Sequence, residues 1–153
     1  MTDDLHYSRI VGAPPDELFD LLTSPGGQAA FYQTAEPGWI VRSESDVRIG
    51  RRWTIAFGRS PAELYRHDHV FDVIDRPRRL LLRTTETRLD GSTLRYETEF
   101  TCTECDGGTR ITMILRGLPT DELRDEHARG VPNAFDQFER VVPGDVAPDG
   151  GGR

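Results

Sequence analysis

The residues from Leu94 to Thr103 alternate so regularly that they constrain the fold more than any other part of the chain. Leu94, Tyr96, Thr98, Phe100 and Cys102 fall on one side of an extended segment, while Arg95, Glu97, Glu99, Thr101 and Thr103 fall on the other. Such a segment is a strand with one covered face. Asp90-Gly91 before it and Asp106-Gly107-Gly108 after it supply the residues that tight hairpins need. The flanking segments, about 80–87 and 109–115, therefore pair with it on either side, and in the second of them Ile111, Met113 and Leu115 share a face.

The same period runs upstream. Trp53, Ile55 and Phe57 oppose Arg52, Thr54 and Ala56; Tyr65, His67, His69, Phe71 and Val73 oppose Arg66, Asp68 and Asp72. Long alternating strands joined by close turns, such as Arg76-Pro77, make an antiparallel meander whose inner face must be covered. The cover is the long helical candidate from Pro119 to Val142, started by Thr120, Asp121 and Glu122. Its stripe is Leu123, His127, Val131, Ala134, Phe135, Phe138 and Val142. Pro132 within it lacks a backbone donor and predicts a kink or a break. At the other end, residues 5–12 read as a strand, and Pro14-Pro15-Asp16-Glu17 opens a helix with Leu18, Phe19, Leu21 and Leu22 on its apolar face. Pro25-Gly26-Gly27 stops it, and Gln28 to Tyr32 form one more short turn.

Composition limits the partners. At 153 residues the chain is one domain, residues 1–143, followed by a flexible tail at 144–153 rich in glycine, proline and aspartate. A net charge of -7 and a pI near 5.1 argue against nucleic acid and anionic membranes. All 19 basic residues are arginine, which excludes a lysine Schiff base. No apolar run exceeds four residues and the start Met1-Thr2-Asp3-Asp4 has no signal-peptide character, so a cytoplasmic location is expected. Cys102 and Cys105 stand three apart without the further ligands of a zinc site or the helix of a redox pair, and read as ordinary thiols.

Several strings bear a resemblance to the START-like, helix-grip architecture of the SRPBCC superfamily. Ala13-Pro14-Pro15-Asp16-Glu17-Leu18-Phe19 resembles its A-P-x-E-x-V-F opening, and Asp46-Val47-Arg48-Ile49-Gly50-Arg51-Arg52-Trp53 its D-x-R-x-G-G-x-W strand entry. Phe71 to Leu80 resembles F-E-V-I-D-P-P-R-R-L, Gly107 to Thr112 resembles G-G-T-R-V-T, and His127 with Gly130 matches an H-x-x-G step. Within the superfamily the chain is most similar to the group named after the activator of the heat-shock chaperone ATPase. The resemblance implies an α+β fold: a curved antiparallel sheet wrapped on a long C-terminal helix, with short helices after the first strand. It also implies a hollow between sheet and helix for a lipid or polyketide-like molecule. Where the family usually has G-W, Gly130-Val131 precedes Pro132 here, which implies a reshaped hollow.

On that reading the inward residues become a ligand-binding wall: Trp39, Trp53, Phe57, Tyr65, His67, His69, Phe71, Tyr96, Phe100, His127 and Phe135. His67 and His69 share a strand face about 7 Å apart, and His127 from the helix could complete a metal set; no cofactor or metal is assigned, since Asp68 points away. No catalytic constellation is assigned. The leading expectation is a non-catalytic domain that binds a hydrophobic small molecule, with a homodimer left open. A polyketide cyclase or dehydratase would draw on Tyr65, His67, His69, Tyr96 and His127, with Arg83 if it faces inward; a chaperone-related interaction module is the third reading. Glu97 and Glu99 are expected on the wet face.

Overall fold

A computed structural model describes residues 3–143; the expected tail lies outside them. The elements are β1 (Leu5–Val11), α1 (Pro15–Leu22), α2 (Pro25–Ala30), β2 (Ile40–Ser45), β3 (Arg52–Ser60), β4 (Glu63–Asp75), β5 (Arg79–Thr87), β6 (Thr93–Cys105), β7 (Gly108–Arg116) and α3 (Asp121–Glu139). They form one antiparallel sheet in the order β1-β7-β6-β5-β4-β3-β2. The six later strands are the meander, and β1 returns to pair with β7, Leu5 opposite Leu115. The sheet curves around α3 in a helix-grip arrangement.

Closure at the β1 end depends on one glycine. Gly108 has a φ of 133°, and a Cβ there would lie 2.1 Å from the carbonyl oxygen of Val11. Only glycine permits that approach. Beside it the Thr109 hydroxyl donates to the carbonyl of Ala13 at 2.6 Å, tying the β7 start to the chain entering α1.

The alternation turns into a core as expected on most strands. Trp53, Ile55, Phe71, Leu80, Leu82, Phe100, Ile111 and Leu115 bury against Leu18, Phe19 and Leu22 of α1 and Val131, Phe135 and Phe138 of α3. Each such side chain contributes about 1.5–3 kcal/mol of transfer free energy. Arg9 fastens α3 to β1, donating to Asp136 at 2.7 Å, Glu139 at 2.8 Å and the Pro132 carbonyl at 3.3 Å. Burial works against its charge, but hydrogen bonds to Glu139, Asp136 and Tyr7 outweigh it and raise its pKa.

Four expectations need correction. The helix runs through Pro132 without a break: the missing donor costs one hydrogen bond, while buried Val131 and Phe135 on either side hold both halves to the sheet. Pro25-Gly26-Gly27 is the first turn of α2 rather than only a stop, because proline suits that position and the Ser24 hydroxyl accepts from the Gly27 amide at 3.4 Å. A register shift between Phe71 and Val73 in the β4–β5 ladder turns the alternation over, so Ile74 and not Val73 packs on the core. Glu99 lies on the outer face yet is only 5% exposed, because Arg79 and Arg116 fold over it; burial opposes its ionisation, but those two guanidinium groups lower its pKa overall.

Candidate functional site

A cavity of about 370 Å³ lies between the inner sheet face and α3. Its apolar portion is made by Phe31, Phe57, Leu82, Phe100, Met113, Leu115, Val131 and Ala134. Nine of the eleven residues selected from sequence line it: Trp39, Trp53, Phe57, Tyr65, His67, His69, Tyr96, Phe100 and His127. Phe71 and Phe135 do not. Both are fully buried in packed core, Phe135 with its ring centroid 5.0 Å from Tyr7 and 5.3 Å from Phe31, and stand behind the cavity wall.

The polar portion is organised by Glu86, which sequence reasoning did not select. Its side chain is 4% exposed. One oxygen, Oε1, accepts from the Tyr96 hydroxyl at 2.8 Å, from His127 Nε2 at 2.8 Å and from His67 Nε2 at 3.1 Å. The other, Oε2, accepts from Arg88 at 2.9 Å, and Arg88 reaches on to Glu126 at 2.8 Å. Burial alone would raise the carboxyl pKa. Hydrogen bonds and charge from His127 and His67 reverse this and hold it far below the usual carboxylate range, so Glu86 is ionised.

From Glu86 the hydrogen bonds continue inward. The Tyr32 hydroxyl lies 2.8 Å from His67 Nδ1 and 2.9 Å from His69 Nε2. His69 Nδ1 is 2.8 Å from the Thr84 hydroxyl, which is 2.9 Å from that of Thr98. Burial, then the neighbouring His67, push the His69 pKa well below 6.5, and the ring is neutral. For His127, burial opposes charge, but the Glu86 hydrogen bond and charge, with the Leu123 carbonyl at 2.7 Å from Nδ1, raise its pKa. Burial and the Glu86 charge push both tyrosine hydroxyls, Tyr32 and Tyr96, above their ordinary range.

Local structure explains these placements. His67 and His69 share the inner face of β4, their ring centroids 5.6 Å apart. They do not converge with His127 as a three-histidine metal set: His67 and His127 turn to Glu86, and His69 turns to Tyr32 and Thr84. Among the described residues no group of three or more histidine, cysteine, aspartate or glutamate side chains is arranged to hold a metal. Tyr32 follows α2, where the Trp39 indole donates to its carbonyl at 2.7 Å and Asn133 of α3 donates to the Gln33 carbonyl at 2.9 Å. Arg83 faces away from the cavity, 62% exposed and 3.7 Å from Asp72, which removes it from any inner chemistry. Cys102 is buried with its thiol pKa pushed up to about 11, and Cys105 is also a free thiol.

A signal for Glu86 was present in the sequence. The run Leu80-Leu81-Leu82 hides which residues of β5 face inward, but the Asp90-Gly91 hairpin sets Glu86 opposite Leu94 and Thr84 opposite Tyr96. Directly opposed residues share a face, so the inward alternation of β6 carries Thr84 and Glu86 inside with it. No local pattern points to Tyr32.

This fold and cavity can be set beside known proteins. The family model described as "Activator of Hsp90 ATPase homolog 1-like protein" matches residues 12–143. The chain belongs to that family. No curated protein matches it. Among solved structures, a protein from Chromobacterium violaceum is 15% identical with a TM-score of 0.79, covering 97% of this chain and 100% of its own. The AHSA1 protein from Silicibacter pomeroyi is 17% identical with a TM-score of 0.76, covering 90% and 96%. One from Mycobacterium smegmatis is 19% identical with a TM-score of 0.75, covering 95% and 92%. At these identities the likeness shows the fold; function must be argued from this chain's own side chains.

Proposed function

We propose that this START-like domain holds a hydrophobic small molecule in the cavity between its sheet and α3. The observation that carries the reading is the cavity itself, about 370 Å³, walled mainly by aromatic and aliphatic side chains with one buried polar wall. Small-molecule pockets have this composition and measure roughly 300–1,000 Å³. An acid catalyst would need a proton free for its ligand, whereas those of Tyr96 and His127 are committed to Glu86 and to the Leu123 carbonyl. That favours binding over a cyclase-like activity.

Val131 offers the test. It lines the cavity from α3 and is almost fully buried. Val131→Trp fills the space, so a fluorescent apolar probe bound by the unaltered protein is lost while the folded circular dichroism signal is kept. Undiminished probe binding in Val131→Trp, or no binding by the unaltered protein, overturns the reading.

A further inference from the structure

The cavity stops against a partition of aromatic rings. Phe31, just past the end of α2, lines the cavity and also stacks on Phe138, their centroids 4.4 Å apart at an interplanar angle of 21°. The same ring meets Phe135 edge-on at 5.3 Å and Phe100 at 5.3 Å. Phe135 and Phe138 are both 0% exposed, and neither lines the cavity. Phe31 is therefore the ring that separates the open volume from the filled core.

Away from these rings the limit is polar. Glu86, Tyr96 and His127 also line the cavity, and Glu86 is joined to each of the other two by a hydrogen bond of 2.8 Å. An apolar chain forced into that wall would part a buried carboxylate from its donors, which costs far more than parting two apolar surfaces. Between the two limits the volume is about 370 Å³. An apolar cavity of roughly 150 Å³ takes up benzene, so this one holds on the order of 15 carbons.

Resting on the binding reading above, we infer that Phe31 is the end-stop that sets the size of the occupant: one medium-length chain or one compact ring system, on the order of 15 carbons, and not a two-chain lipid. Up to that size each added methylene is buried and tightens binding. Carbons beyond it stay in water and add nothing. Removing the Phe31 ring opens the volume as far as Phe135 and Phe138, because the packed neighbours close such a gap only in part.

Displacement of the fluorescent probe phenylnaphthylamine by straight-chain alcohols, octanol to octadecanol, tests this in the unaltered protein and in Phe31→Ala. Each alcohol is presented to both from the same cyclodextrin stock, so the ratio of affinities, variant over unaltered, is independent of the carrier. That ratio should be level for chains the natural cavity already encloses and then rise about fourfold with each further methylene until the added space is filled. Phe31→Leu keeps more of the core should the alanine variant fail to fold, and its ratio should rise over fewer carbons. A ratio that stays level up to octadecanol, or dioleoylglycerol displacing the probe from the unaltered protein as strongly as the best alcohol, overturns the inference and leaves apolar binding standing. Failure of the probe and of every alcohol to bind the unaltered protein overturns the binding reading and the inference together.

Discussion

The inner face of the sheet supports two clusters built on different principles. At one end Phe31, Phe100, Phe135 and Phe138 fill space by shape, their centroids 4.4 to 5.3 Å apart, with Phe31 stacked on Phe138 and edge-on to Phe135. At the other end Glu86, His67, His127, Tyr96 and Arg88 are joined through one carboxylate. Removing carbon from the first leaves a gap that neighbours can partly close. Removing the carboxylate from the second leaves several buried donors without an acceptor. The comparison teaches that similar burial can hide very different tolerance to change, because dispersion is spread over many contacts and hydrogen bonding is concentrated in a few.

The largest effect should come from breaking the polar cluster. Glu86→Ala is expected to lower unfolding free energy by about 3–5 kcal/mol in a denaturant titration, since two cationic groups lose their buried counter-charge. A loss below about 1 kcal/mol would mean the cluster is solvated and the contrast is misplaced.

His127 sharpens the comparison through pH. Its folded pKa is raised above the ordinary 6.5, so its ion pair with Glu86 contributes fully below that value and is lost as pH rises through the folded pKa. The stability gap between the unaltered protein and His127→Gln should therefore shrink on the alkaline side. His69 acts in the opposite sense: its folded pKa lies below 6.5, so the stability from its neutral ring is present above 6.5 and lost as pH falls toward the folded value. Unfolding curves from about pH 4 to about pH 9 would separate the two, His69 acting below 6.5 and His127 above it, and a His127→Gln gap that widens with pH would contradict the assigned charge.

The apolar cluster should give less. Phe135→Leu keeps most of the volume and is expected to cost about 1.5 kcal/mol or less by thermal or chemical unfolding. The smallest effect should be on the outer face, where Arg83→Ala removes an exposed side chain from a loose pair with Asp72. A change within about 0.5 kcal/mol is expected, with apolar-probe binding unaltered.

How much of this was legible depends on whether the deciding interaction is local. The hairpins at Asp90-Gly91 and Asp106-Gly107-Gly108 and the faces of β6 and β7 were readable because turn geometry and a period of two belong to neighbouring residues. The inward placing of Trp53, His67, His69 and Tyr96 followed from the same period. The β4 irregularity was not readable, since a register shift is set by what the partner strand requires, and Val73 and Ile74 are equally apolar. Arg83 and Glu86 were hidden behind three leucines that suit either face, although the hairpin partner Leu94 held the answer. Glu99 read as solvated because the arginines that cover it come from two neighbouring strands.

By itself the sequence determined the α+β class, the antiparallel meander, the covering helix and the strand rings that face inward, because each rests on periodicity and turn chemistry within a few residues. The tertiary structure alone decided that Pro132 is carried inside an unbroken helix, that Tyr32 enters the cavity, and that Glu86 on β5 gathers His67 from β4, Tyr96 from β6 and His127 from α3. Those groups are 10 to 41 residues apart along the chain in their bonds to Glu86, and only the folded sheet and helix bring a buried charge and its partners to one point.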